Sequence, residues 1–361
     1  MLLAFLLIVI FCILGVITGI LTGLLPGLHV NNIALILLSI SPVIISVLNP
    51  MENVGITPTF ILILIAIFII SVSISHTFHD TIPTTFLGAP DEDTALSVLP
   101  AVSLLLEGNG YEAVYISAMG SLGAIFVSIL LLYPIRYLIG TPINGYETIQ
   151  EIMFFVLLCI TILMIATEKA RIPEKSTKKY LPSITGMGFA FFIFILSGIF
   201  GIIILDMTVN SPIGLNSPVL FPALSGLFVL PTLLTSLATK PKIPKQLIKD
   251  PQLNIKTKKA SMLSIFTGSL AGLLVSIIPG ITSATGTILA MNARGESNSR
   301  QTIVTLSSVN TACAFFVVAV LFIILRSRSG ATLAVMELIS ISEWNAVLIP
   351  NNLIYLRSEE R

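Results

Sequence analysis

GVITGILTGLLPG at residues 15–27 and GSLAGLLVSIIPG at residues 268–280 are one pattern written twice. Gly15, Gly19, Pro26 and Gly27 return as Gly268, Gly272, Pro279 and Gly280 at a constant spacing of 253, with Gly23 replaced by the equally small Ser276. In a chain with only 24 Gly and 20 Pro such a match is hard to attribute to chance. Small residues four apart lie on one helical face and let a neighbouring backbone come close. Pro then removes an amide and Gly permits backbone angles that other residues avoid, so each helix ends and exposes peptide groups.

The surroundings of the two breaks decide what kind of chain carries them. Of 361 residues, 55% are hydrophobic and 10% charged, against about 25% charged in soluble proteins. That composition excludes a soluble enzyme and describes an integral membrane protein. Apolar runs long enough for about 30 Å of hydrocarbon recur at 2–25, 32–48, 57–75, 111–139, 149–167, 182–205, 218–238, 261–279, 302–325 and 331–350. The fold expected is an all-α polytopic bundle of about ten transmembrane or re-entrant helices built from two internal repeats with Pro-Gly breaks. It reads as a single transmembrane domain over 1–361. Residues 1–139 form the first repeat, 140–260 the connecting helices and 261–361 a second, shorter repeat. Pro26–Asn32 and His76–Glu107, broken by Pro, Gly and hydroxyl residues, read as interrupted or re-entrant backbone, tolerated at membrane depth where protein or a wet cavity satisfies the freed amides. The first helix has no basic segment ahead of it and is expected to stay attached rather than act as a cleaved signal.

Nineteen basic against 18 acidic residues, with no basic patch interleaved with aromatics, leave no footprint for nucleic acid. Cys12, Cys159 and Cys313 lie far apart inside apolar runs, which suits buried core thiols better than disulfides or a metal site. No Ser-His-Asp order, phosphate loop, HExxH or CxxC pattern is present, so catalysis ranks below transport and no cofactor is expected.

A broken helix written twice, each copy followed by a polar stretch, is the sequence pointer to a transporter whose site lies between two repeats near the midplane. After the breaks stand Asn31 and Asn32 in the first copy and Thr282, Ser283 and Thr285 in the second. These are uncharged donors beside a resuming helix start, a fitting cradle for a carboxylate or phosphate. A fainter echo sets Ser75, Thr77 and the TALSVLP run at Thr94 against Val309-Asn310-Thr311 and the ATLAVME run at Ala331, with a three-residue gap. The candidate substrate-binding set is Pro26, Gly27, Asn31, Asn32, Thr84, Thr85, Gly88, Pro279, Gly280, Thr282, Ser283, Thr285 and Asn310. Asp80 is the candidate coupling carboxylate, since an intramembrane acid is costly and tends to be functional.

Other clusters have plainer readings. His76, His79 and Asp80 could share a helical face for a metal or a proton relay, but a polar mouth at a helix end explains them as well, and no metal is assigned. Asp91-Glu92-Asp93 reads as a watery loop, the alternative being attraction of a coupling cation. Arg326 and Arg328 read as an interfacial snorkelling pair rather than as a counter-charge for an anion.

Gly19-x3-Gly23-x2-Pro26-Gly27, Leu87-Gly88-Ala89-Pro90 with Thr94-Ala95-Leu96, Gly108-Asn109-Gly110-Tyr111, and Gly272 with Pro279-Gly280 resemble, in order, the large membrane subunit of tripartite tricarboxylate transporters, the TctA family. The resemblance runs from about residue 12 to 340 and implies a secondary transporter, multi-pass in the cell membrane, for small carboxylates such as citrate. The family usually works with a small membrane subunit and a periplasmic binding protein, although a compact single-chain relative would be expected to lack the latter. The chain departs from the family pattern where Leu87 stands in place of a Pro and His29 follows the first Pro-Gly-Leu. Ile278 to Gly286 is also similar to a stretch of polyprenyl-phosphate transporters, so a lipid carrier is the alternative. The expected partners are therefore a small anionic substrate or a lipid phosphate, membrane lipids, and a second copy of the chain in a homo-oligomer; the coupling ion would be Na+ or H+.

Twelve of the 19 basic residues crowd two loops, Lys169 to Lys179 and Lys240 to Lys259, separated by an even number of crossings. The positive-inside rule puts loops 168–181 and 239–260 in the cytoplasm and Asp206 to Ser217, which has no basic residue, outside. Single cysteines labelled in intact cells with a membrane-impermeant maleimide should react near Asn210 and stay silent in the Lys240 loop; the reverse pattern overturns this orientation.

Overall fold

The computed structural model describes residues 2–48, 56–89, 93–168, 181–205, 207, 226–227, 230–239, 244–249, 255–295 and 298–341. The described elements are helical: α1 (Leu2–Leu24), α2 (Val30–Leu48), α3 (Pro58–His79), α4 (Thr81–Leu87), a 3-10 turn (Ala95–Ser97), α5 (Val98–Leu106), α6 (Gly110–Ile139), α7 (Gly145–Glu151), α8 (Met153–Thr167), α9 (Leu181–Leu205), α10 (Leu230–Thr239), α11 (Ile255–Ile277), α12 (Ser283–Arg294), α13 (Ser299–Ile324) and α14 (Gly330–Leu338). Among the described residues seven helical stretches are long and apolar enough to cross a membrane, and eight if the bent pair α7 and α8 counts as one span. Two of the ten apolar runs read from the sequence fall partly outside the described residues. The run at 331–350 gives the nine-residue α14 before the described residues end, and 218–238 is described at 226–227 and from 230 on, as α10.

The chain forms two units, residues 1–148 with 241–361, and residues 149–240. In the smaller unit α8 has no buried side chain and α9 exposes Phe189, Phe192 and Ile202, apolar all round as a membrane-spanning helix is. The larger unit carries the breaks. Its most enclosed element is α13, which joins all three apolar clusters: Leu321 packs with α2, α3 and α14, Phe316 with α6 and α11, and Ile303 with α5 and α6.

Both breaks are built alike. α1 ends at Leu24, Gly27 turns the chain at φ 86° and α2 begins at Val30. α11 ends at Ile277, Gly280 turns it at φ 80° and α12 begins at Ser283. A positive φ is strained for any residue with a side chain, which is why Gly follows Pro at both places. The small-residue faces ahead of the breaks are occupied by close neighbours: a Cβ on Gly19 would stand 2.7 Å from the Val72 carbonyl oxygen, and one on Gly272 2.6 Å from that of Val309. Without a hydrophobic force between helices in lipid, such backbone approach is what binds α1 to α3 and α11 to α13.

A strap closes one end of the larger unit. The Gly110 amide donates to Gln246 Oε1 at 2.8 Å, Gln246 Nε2 donates to the Leu105 carbonyl at 3.1 Å, and the Leu247 amide donates to the Gly108 carbonyl at 2.8 Å. Beside it Arg300 grips both Glu112 oxygens, at 2.6 and 2.8 Å, tying α13 to α6.

Gly272→Val should lower stability by about 1 to 3 kcal/mol, the usual cost of overpacking. It would be read as a fall in melting temperature of the detergent-solubilised protein, whereas Gly198→Ala on α9, where an added Cβ meets nothing within 4 Å, should change little.

Candidate functional site

The larger unit encloses a cavity of about 280 Å³. It collects residues that the sequence scatters over 300 positions: His29, Val30 and Asn31 after the first break, Ile281, Thr282 and Ser283 after the second, and Arg328 to Ala331 between α13 and α14. α3 and α13 supply the walls between them. Ser73, His76, Thr77 and Asp80 line it from one side of the sequence, and Asn310, Cys313, Ala314 and Val317, each 237 residues on, from the other. The same spacing recurs in packing and in backbone. Gly15 and Gly19 face the carbonyls of Phe68 and Val72, Gly268 and Gly272 those of Thr305 and Val309, and Gly88 and Leu325 end their helices in left-handed conformations at φ 61° and 54°. The three-residue gap introduced in aligning the sequences is therefore not needed. Thr77 and Thr311, paired by that alignment, instead bond one another across the bundle at 3.0 Å.

Local chemistry explains how Asp80 reaches the cavity. Pro83 has no amide to offer the carbonyl of His79, so α3 cannot continue into α4 without interruption, and Asp80 sits at the joint with its own amide bonded to the His76 carbonyl. The carboxylate is 3% exposed. Asn310 Nδ2 donates to Asp80 Oδ2 at 2.7 Å and Thr81 Oγ1 donates to Asp80 Oδ1 at 3.4 Å. A hydroxyl chain backs this pair, with Ser117 donating to Thr81 at 2.9 Å and lying 2.7 Å from Ser307. Donors of this kind are what an acid withdrawn from water requires.

The opposite charge comes from Arg328, whose Nη2 donates to the Ile281 carbonyl just after the second break. Its Nη1 is buried without a hydrogen-bond partner. Two imidazoles stand nearby, His76 with Nδ1 3.0 Å from Thr22 Oγ1, and His29 with its ring centroid 5.8 Å from that of His76. Asp93 completes the charged groups of the lining.

Of the candidate residues, Asn31, Asp80, Thr282, Ser283 and Asn310 line this cavity. Asn31 also has a structural task, since its Oδ1 accepts the Ala331 amide at 3.0 Å and so caps α14. Pro26, Gly27, Pro279 and Gly280 form the turns that deliver those residues and do not line the cavity. Asn32 and Thr285 lie in the first turns beyond; the Asn32 amide donates to the His29 carbonyl at 3.0 Å and the Thr285 amide to Thr282 Oγ1 at 3.4 Å. Thr84 is buried behind the lining, bonded to the Asp80 carbonyl at 2.8 Å and to Thr94 at 3.0 Å. Thr85 is buried with its hydroxyl unpartnered, and Gly88 caps α4.

Several plain readings need correction. Arg326 and Arg328 do not act as a pair: Arg326 stacks over the Tyr146 ring at 5.4 Å while Arg328 enters the cavity. Asp93 lines the cavity rather than a watery loop, Asp91 and Glu92 lying outside the described residues. His79 does not share the face of His76; it bonds to the Ser75 carbonyl at 2.8 Å and lines an apolar groove with Cys12 and Phe78. Cys12 and Cys159 are exposed on the protein surface rather than buried, and Cys313 is half-buried on the cavity. Arg328 and His76 carried a sequence signal, an ionisable residue between or within apolar runs.

The apolar helices, two of them broken around a buried polar cavity, define a multi-pass membrane protein of the transporter class. The chain belongs to the tripartite tricarboxylate transporter TctA family, whose model matches residues 9–347. It is similar to an uncharacterized protein of Methanocaldococcus jannaschii, 31% identical over 269 residues, which is 74% of this chain and 61% of that protein. The chain thus spans less than two thirds of that relative's length. No solved structure matches it.

Removing the amide of Asn310 takes one donor from a buried carboxylate. Asn310→Ala should cost about 1.5 to 3 kcal/mol, the range for hydrogen bonds to charged groups. Adding Asp80→Asn should restore part of the lost melting temperature, because the remaining buried group is neutral.

Proposed function

We propose that this chain is a secondary transporter that binds a small organic anion, a di- or tricarboxylate being the reference case, in the cavity between two structural repeats. The observation that carries the reading is Arg328, a guanidinium held on the carbonyl of Ile281 with a second nitrogen unpartnered, in a cavity whose other polar lining is hydroxyls, amides, imidazoles and the carboxylates of Asp80 and Asp93. Helix breaks that gather neutral donors and one cation around a cavity are the membrane counterpart of helix-terminus anion sites. Family membership supports carboxylate transport as the chemistry. The corresponding positions on α3 and α13 support an arrangement in which each repeat contributes one wall, so that rocking of one against the other would expose the cavity alternately to the two sides. Asp80 is the proposed seat of coupling to a sodium ion or proton, held where its charge is sensed by Asn310 and the Thr81 hydroxyl.

The alternative cargo, a polyprenyl phosphate, needs a path for its tail from cavity to lipid. The apolar groove formed by Cys12, Val16, Ile70 and Phe78 shares no lining residue with the cavity, and the apolar pocket that does, sharing Ser73 and Ala331, has a volume of only about 10 Å³, too small for a prenyl chain, which favours the small anion.

Uptake of radiolabelled citrate and succinate into proteoliposomes under an imposed sodium or proton gradient tests the proposal. Saturable uptake, with affinity reduced about ten- to a hundred-fold by Arg328→Gln or Thr282→Ala, is the expected result. Absence of carboxylate uptake together with tight binding of a short-chain polyprenyl phosphate overturns it.

A further inference from the structure

The charges on the cavity wall do not suit a bare polyanion. Two carboxylates, Asp80 and Asp93, face it with one guanidinium, Arg328, and the imidazoles of His29 and His76. With the imidazoles neutral and no coupling cation at Asp80 the lining is net negative, and even with Asp80 neutralised a di- or trianion would meet one guanidinium against the carboxylate of Asp93. The two acids are also not equivalent. Asp80 is buried, its oxygens engaged by Asn310 and Thr81. Asp93 is half-buried and, among the described residues, makes no hydrogen bond or ion pair. It lies close enough to Arg328 for the two charges to interact, yet they do not pair. An acid and a base lining one cavity, each with bonding capacity left over and not paired with the other, form a receptor for a molecule carrying both charges.

From this juxtaposition we propose that the cargo is a zwitterion, a small carboxylate that also bears an ammonium group, with its carboxylate on Arg328 and its ammonium on Asp93. The proposal rests on the transporter reading above and keeps its carboxylate on Arg328, but replaces the di- or tricarboxylate taken there as the reference cargo. Such a ligand is neutral overall, so it adds no net charge to a negative lining. It also answers both open bonding groups at once, whereas a simple carboxylate would leave Asp93 facing it unpaired, and a site so built rejects analogues that lack the matching group. A cavity of about 280 Å³ lies at the small end of ligand sites, as an unextended amino acid requires.

Cys313, half-buried on the same wall, supplies a readout independent of transport. In a Cys12→Ser, Cys159→Ser background, the rate of Cys313 alkylation by N-ethylmaleimide is measured with the protein amino acids, β-alanine and γ-aminobutyrate. Each is compared with the acid lacking the amino group (acetate, propionate, butyrate, succinate), and with citrate, with and without sodium. The expected result is that at least one amino acid protects Cys313 at concentrations about ten- to a hundred-fold lower than its amino-free counterpart. Asp93→Asn should pull that ratio toward one at an unchanged melting temperature. Protection by succinate or citrate with no advantage from an amino group overturns the inference and leaves the transporter reading standing. So does an Asp93→Asn variant that loses a sodium requirement rather than the amino-group preference, since Asp93 would then hold a cation instead of the cargo. Protection by none of these compounds, in a protein whose melting temperature shows it folded, overturns both readings.

Discussion

A peptide group without a hydrogen-bond partner is expensive in hydrocarbon, and this chain opens its backbone twice inside apolar helices. Everything around the two breaks is arranged to make that tolerable. Glycine and serine faces bring α1 against α3 and α11 against α13 closely enough that the broken ends are enclosed by protein. The amides and carbonyls freed at the turns then find partners nearby: the Ile281 carbonyl takes Arg328, and the resuming α12 is capped by Thr282. A cavity follows from the same constraint, because the chain on either side of a break cannot pack as a continuous cylinder.

The polar interior is held by cross-bundle hydrogen bonds rather than by apolar filling. Asp80 with Asn310, Thr77 with Thr311 and Ser117 with Ser307 join α3 and α6 to α13, the element common to every apolar cluster. Each such bond is modest in a membrane, since separated helices also find partners. Their combined effect is positional: they fix which face of α13 looks into the cavity, and hence where Asn310 and Cys313 stand.

The breaks were legible because their signal is local. Pro-Gly after small residues at four-residue spacing has one structural meaning, and its recurrence at 253 needs no knowledge of contacts. The walls were harder. The pairing of α3 with α13 is set by which carbonyls meet the glycines, information that resides in Val72 and Val309 only once the helices are packed. Charge placement failed for a related reason. Arg326 and Arg328 are two residues apart and alike in sequence, and only the fold sends one to the Tyr146 ring and the other inward. Thr85 and Thr84 also look alike on paper, yet one bonds to Asp80 and Thr94 while the other is buried with its hydroxyl unpartnered.

The strap at Gln246 has a consequence for how the two parts of the larger unit are joined. The smaller unit, residues 149–240, interrupts the larger one in sequence, its chain starting just after Tyr146 and ending just before Gln246. Both roots are pinned within the larger unit, Tyr146 beneath Arg326 and Gln246 on the corner of Gly108 and Gly110. The points where the chain leaves and rejoins the larger unit are therefore set by contacts inside that unit, whatever sequence runs between them.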